Sequence, residues 1–144
     1  MRIFFLIGLF SFFGIAQETF TPKKTKVSAI IIDGKLDPNE WKNALQVPLD
    51  IEFNPANNKA ARKETIAYVT YSDRYVFIGV YAKDDPPNIR ASIRPRDDFN
   101  IWNDDVFLVR LDPYADSRNN LGLAVNALGS QFDVKQVNAL TDAD

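Results

Sequence analysis

Cysteine and histidine are both absent from the 144 residues, and each absence removes a class of chemistry. With neither a thiol nor an imidazole there is no cysteine nucleophile, no histidine base and no familiar zinc cage. Any metal chemistry must use oxygen ligands, a requirement that suits calcium. No disulfide can staple the fold, so a packed core has to hold it. Positive charge is not in excess either. The chain carries 17 Lys and Arg against 19 Asp and Glu, a formal charge of −2, and no basic stripe is visible. That balance argues against nucleic acid as a partner. There is no internal repeat, no low-complexity segment and no EF-hand spacing.

What is present begins with an apolar run over residues 3–16, preceded by Met1-Arg2 and ending in small residues at Gly14 and Ala16. A short basic start, a hydrophobic middle and a small-residue end read as a secretory signal peptide over residues 1–16. The run is too short to span a bilayer comfortably, and the polar Gln17-Glu18-Thr19 follows at once, so cleavage after Ala16 is expected. Losing Arg2 makes the formal charge one unit more negative. The expected address is exported: periplasmic, outer-membrane-associated or secreted. Residues 17–26, with Pro22, Lys23, Lys24 and Lys26, read as a solvated polar lead-in. With 46% apolar and 12% aromatic residues, the remainder, 27–144, can bury the core of one domain.

Along that domain the apolar periodicity is mostly that of strands. Residues 27–32 are expected to form a short strand of β-branched residues ending at Asp33-Gly34. Residues 36–41 then read as the start of one short helix: Asp37 can cap, Pro38 suits the first helical position, and Glu40 can reach back to the cap's N–H. With Pro48 soon after, this helix is expected to be about two turns long. So short a helix is held by packing, which makes Trp41 a core anchor, with a sugar-stacking platform as the alternative. Strands are expected over residues 47–53 and in a hairpin of 65–71 and 75–81 joined by Ser72-Asp73-Arg74, ending at Pro86-Pro87. A β-meander follows from Val106 through Val134. Within it Phe107, Val109 and Leu111 share the face expected to be core, while Val106, Leu108 and Arg110 share a face half open to water or turned toward a ligand. This pattern predicts an all-β, antiparallel β-sandwich with one short helix. The chain stops at Asp144 directly after a strand, so the C-terminal closing strands are expected to be missing and the domain truncated.

Candidate chemistry gathers at strand ends. Asp84, Asp85, Asp97, Asp98, Asp104 and Asp105 lie where loops could converge, with Asp84 and Asp104 as candidate ligands of a structural calcium ion. The alternative is that these acids only stabilise turns through nearby backbone N–H groups. A glycosidase would need two carboxyl groups at a fixed separation, one in an apolar pocket, and these acids lie in polar sequence. Trp102 is different. It precedes two Asp residues at a strand entrance, where it either stacks against a sugar ring or lids the core.

The set Ile32-Asp33-Gly34, Leu36-Asp37 with Trp41, the hairpin from Tyr71 to Val80, Trp102 through Asp112-Pro113, Asp116-Ser117-Arg118-Asn119 and Val125-Asn126-Ala127-Leu128-Gly129 resembles the family 9 carbohydrate-binding modules. The subgroup it is most similar to opens large exported proteins, ahead of a region resembling an outer-membrane barrel. The resemblance covers nearly all of residues 27–137. It implies a jelly-roll or immunoglobulin-like sandwich and non-catalytic sugar binding associated with catabolism of xylan- or cellulose-type polysaccharides. Trp102, Asp105 and Asn126 match sugar-binding positions. The Glu implied after that Asp falls on Leu108, an implied Arg falls on Ala124, and the implied second Trp would lie beyond Asp144. The expected partners are a carbohydrate and a downstream outer-membrane region of the same protein. Two alternatives stand beside that reading: an interaction domain that has lost the sugar site, and a part of an O-glycosyl hydrolase.

Overall fold

A computed structural model describes residues 20–55 and 57–137. The expected signal peptide, residues 1–16, lies outside the described residues. The fold is all-β: the described residues form eight strands in three antiparallel sheets, one α-helical turn and three 3₁₀ turns.

The first sheet has the order β1-β4-β5, from β1 (Leu45–Pro48), β4 (Thr65–Tyr71) and β5 (Val76–Ala82). The expected hairpin is β4–β5, turned by Ser72, whose hydroxyl accepts from the N–H groups of Arg74 and Tyr75 at 3.3 and 3.1 Å. The region 47–53 is not one strand. It divides into β1 and β2 (Ile51–Glu52), and β2 pairs with β3 (Lys59–Ala60) as a small separate sheet.

The helix is shorter than expected. α1 (Pro38–Trp41) is one turn, capped by Asp37, which accepts from Asn39 N at 2.7 Å. Glu40 does not complete a capping box; its Oε2 accepts instead from Ile31 N at 3.2 Å. That bond ties residues 30–32 to α1. The strand expected over residues 27–32 does not form: Val27–Ala29 is a 3₁₀ turn, and residues 30–32 belong to no sheet. α1 delivers Trp41, only 5% exposed, to a core of Ile30, Trp41 and Phe77 with Leu36, Ala44 and Tyr68 packed around it. The core-anchor reading of Trp41 is the structural outcome. Gly79 makes it possible, because a β-carbon there would stand 2.5 Å from Leu36 Cδ2 and 3.1 Å from the indole.

The lead-in is docked, not simply solvated. Lys24 bridges Tyr71 in parallel, Thr25 N donates to Tyr71 O at 2.7 Å, and Thr70 Oγ1 donates to Lys23 O at 2.7 Å. β1 covers β4 only from Ile66 to Val69, so without this segment the end of β4 would leave its backbone groups unpaired on that side.

The second three-stranded sheet is the expected meander, in the order β6-β7-β8: β6 (Val106–Leu111), β7 (Asn120–Asn126) and β8 (Gln131–Gln136). Gly129, at φ 82°, turns β7 into β8. The face assignment holds on β6 but not across the sheet: Phe107, Val109 and Leu111 are half-buried while Leu108 and Arg110 are exposed, whereas on β7 and β8 the buried residues lie on the Leu108 face. Register places Leu108, Ala124 and Phe132 in one row across the sheet, and the buried cluster of Ile101, Ala124 and Phe132, with Val106 against it, lies on this face. The other face carries Phe107, Val109 and Leu111 opposite Val125, Leu123 and Leu121, and the last three are 38–42% exposed. The cause is the 3₁₀ turn Phe99–Asn103, which folds back and drops Ile101, 1% exposed, onto the Val106 side.

Candidate functional site

The 3₁₀ turn Phe99–Asn103 organises the candidate site. Its N-cap Asp98 accepts from Asn100 N at 2.9 Å, and its C-cap Asp104 donates its N–H to Ile101 O at 2.9 Å. One guanidinium holds both ends. Arg94 donates from Nε and NH2 to the two oxygens of Asp104, each at 2.9 Å, while its NH1 lies 3.9 Å from Asp98 Oδ2. The fork geometry of arginine allows this bidentate grip, which a lysine could not reproduce.

Asp104 is buried, with its side chain 4% exposed, and besides Arg94 it accepts from Ser92 N at 3.1 Å and Asn126 Nδ2 at 2.8 Å. The Arg94 guanidinium holds its carboxyl well below the usual carboxylate range, with the Asn126 and Ser92 N–H groups adding to that effect and burial opposing it. Asn126 uses its full hydrogen-bonding capacity: Nδ2 donates to Asp104 and to Ser92 O at 2.8 Å, and Oδ1 accepts from Leu128 N at 3.0 Å and Ser130 N at 2.9 Å. This clasp ties the 92–94 segment, the 3₁₀ turn and the β7–β8 turn together.

Trp102 leaves the turn on its outer side. It is 45% exposed and meets Phe132 edge-on, centroids 5.4 Å apart at 67°. Phe99, 77% exposed, packs on the same Phe132 ring at 5.2 Å and 73°. Trp102 is thus neither a core lid nor a free-standing ring. It belongs to an aromatic platform anchored through Phe132, an edge-to-face arrangement that suits the ring quadrupoles.

The other expected sugar contacts occupy different settings. Asp105 pairs with Arg90, whose Nε and NH2 donate to Oδ1 at 3.3 and 3.0 Å while its backbone N donates to Oδ2 at 2.8 Å. Its side chain stays 41% exposed, leaving acceptor capacity on Oδ2. Asn126 is 5% exposed and faces inward. Leu108 and Ala124, where the resemblance implies Glu and Arg, are cross-strand partners beside Phe132 and form an apolar pair.

The two calcium candidates each already face a cation of the chain. Asp104 has Arg94, and Asp84 lies 3.3 Å from Lys63 Nζ, which also reaches Asp85 at 2.9 Å. The Asp85 N–H and then Lys63 lower the Asp84 carboxyl below its ordinary value. Among the described residues no three carboxylates gather as a metal cluster.

Sequence reasoning missed Arg94, Arg90, Phe99 and Phe132. The aromatics carry a composition signal but no periodicity that pairs them, and the arginines meet acids 10 and 15 positions away across a loop. The chain matches no protein-family model, no curated protein and no solved structure.

Proposed function

We propose that this chain is a non-catalytic carbohydrate-binding domain whose platform is Trp102 and Phe99. The reading rests on one observation: two large aromatics are left 45% and 77% exposed yet held in place against a buried Phe132. A rigid apolar ring edged by hydrogen-bonding groups suits the C–H face of a sugar, and Asp105 beside Arg90 supplies such groups. Asp104 and Asn126 act in this reading as supports of the platform, not as sugar contacts. A sandwich would join the row Phe107, Val109, Leu111 to the second apolar row of the first sheet, Leu45, Val47, Val69, Ile78 and Val80. Export and association with an outer-membrane partner or a polysaccharide-degrading system belong to the same proposal.

A second reading, an interaction domain without a sugar site, draws on the inward use of Asn126 and on the apolar pair Leu108 and Ala124. The hydrolase alternative is weaker, because Asp104 and Asp105 are both paired with arginines, and the buried Asp104 is held below the usual carboxylate range, the opposite of what a general acid needs.

The test is titration of the full chain with xylo- and cello-oligosaccharides, following fluorescence in a Trp41→Phe background where Trp102 is the sole indole. A saturable change that Trp102→Ala and Phe99→Ala remove in retention assays supports the platform. No change with any neutral or acidic glycan would leave the interaction reading standing.

A further inference from the structure

The sheet face that carries the platform continues past it. Register puts Leu108 in the row of Phe132, then Arg110, Gly122 and Val134 in the next row, then Asn120 and Gln136 in the one beyond. Val134 and Leu108 close over Gly122, where a β-carbon would meet Val134 Cγ1 at 2.9 Å, and both side chains stay partly open at 44% and 38%. Arg110 lies across this gap and donates from NH1 to Gln136 Oε1 at 3.0 Å; Asn120 Nδ2 reaches the same oxygen at 3.4 Å. The guanidinium is therefore oriented on the face, not free to wander.

Among the described residues it is also without a counter-ion. Arg62, Arg90, Arg94 and Arg96 are each paired with a carboxylate, whereas Arg110, like Arg74 and Arg118, forms no ion pair among the described residues, and Arg110 alone of these three is on this sheet face. Asp112, the nearest acid in sequence, uses its carboxylate on the N–H groups of Tyr114, Asp116 and Ser117. The result is a strip with aromatics at one end, an apolar middle and an oriented cation at the other. From Phe132 to Gln136 it runs about 13 Å, at roughly 3.3 Å per strand residue, the reach of a short oligosaccharide.

We infer that the ligand of this face is an acidic glycan, with a neutral ring stacked at Trp102 and Phe99 and a uronate carboxylate received by Arg110. The inference rests on the carbohydrate reading above and adds the charge of the ligand. Arg110 would be the specificity-determining residue, because a guanidinium offers a carboxylate two parallel N–H bonds that a neutral sugar cannot return in kind. A chain with a sequence pI near 5.1 has no general attraction for polyanions at neutral pH, so retention on one would report this site.

The experiment compares retention of the full chain on polygalacturonate and on the same polymer after carboxyl reduction, at low and high salt. The expected result is retention on the acidic polymer, weakened about tenfold or more by Arg110→Gln, by carboxyl reduction or by high salt, and partly kept by Arg110→Lys. Trp102→Ala should abolish retention on both polymers. Equal retention on the two polymers with no effect of Arg110→Gln overturns the acidic preference and leaves carbohydrate binding intact. Retention on neither polymer overturns the preference, and if xylo- and cello-oligosaccharides also fail, the carbohydrate reading falls with it. Arg110 is exposed, so Arg110→Gln should fold; an unchanged far-ultraviolet dichroism spectrum checks this.

Discussion

Replacing Asn126 tests whether the clasp beneath the platform holds the structure. Asn126→Ala removes four side-chain hydrogen bonds at a residue 5% exposed. Their consequences differ. Ser92 O retains Ser130 Oγ at 3.3 Å, and Asp104 Oδ2 retains Arg94 Nε and Ser92 N, so those two acceptors are not orphaned. Leu128 is exposed and its N–H can turn to water. Ser130 N is the group left stranded, in a residue 7% exposed. Counting about 1 kcal/mol for each of three bonds lost with partial replacement, and slightly more for the stranded donor, the cost comes to about 4 to 5 kcal/mol. Asn126→Asp should cost more than Asn126→Ala, because it turns the donor facing Asp104 at 2.8 Å into a second carboxylate oxygen. Urea unfolding followed by far-ultraviolet dichroism gives both values. The order wild type, Ala, Asp in falling stability is expected. A loss below about 1 kcal/mol for Asn126→Ala, or an Asp variant as stable as wild type, would refute the assignment of Asn126 as a buried junction.

Three further outcomes are expected. Gly79→Ala should destabilise by about 1 to 3 kcal/mol through overpacking against Leu36 and Trp41, and Leu36→Ala in the same chain should relieve part of it; additive losses in thermal melts would contradict the contact. Trp102→Ala should cost about 2 kcal/mol, roughly half the loss of a fully buried large aromatic, since the ring is 45% exposed; a cost near that of Trp41→Ala would make it a core residue instead. The carboxyls of Asp84, Asp104 and Asp116 are all held below their ordinary values in the folded chain, so their stabilisation is complete above the unfolded carboxylate value of about 4 and is lost as pH falls toward the folded values. Melting temperature should accordingly be level at neutral pH and drop on acidification, less steeply in Asp104→Asn, and a level profile down to about pH 2 would count against the pairing.

Much of the fold was legible because its signals are local. The β4–β5 hairpin, the meander and the Asp37-Pro38 cap of α1 each depend on residues within a few positions of one another, and each formed. Glu40 shows where locality ends. The sequence offers it a partner three residues away at the cap, yet Ile31 N, nine residues away, takes the bond once Trp41 is buried and residues 30–32 are drawn over it.

That the buried cluster of the meander lies on the Leu108 face has a more general cause. Alternation divides a strand into two sets but does not say which one is covered, and in Val106 to Leu111 both sets are largely apolar. The single charge, Arg110, suggested that its own set faced outward along the whole strand. The structure divides that face by length instead: at the Val106 end Ile101 seals it, and at the Arg110 end it remains open. What decides the matter is the 3₁₀ turn, and the turn's position is set by Arg94 gripping Asp104 from ten residues upstream. No periodicity in the chain encodes that pairing. Trp102 is exposed because the turn is spent burying Ile101, one residue earlier, and a 3₁₀ turn of three residues per repeat cannot point neighbours the same way. The same step that builds the small core on this face therefore also presents the platform at its edge, with Arg110 further along the strip.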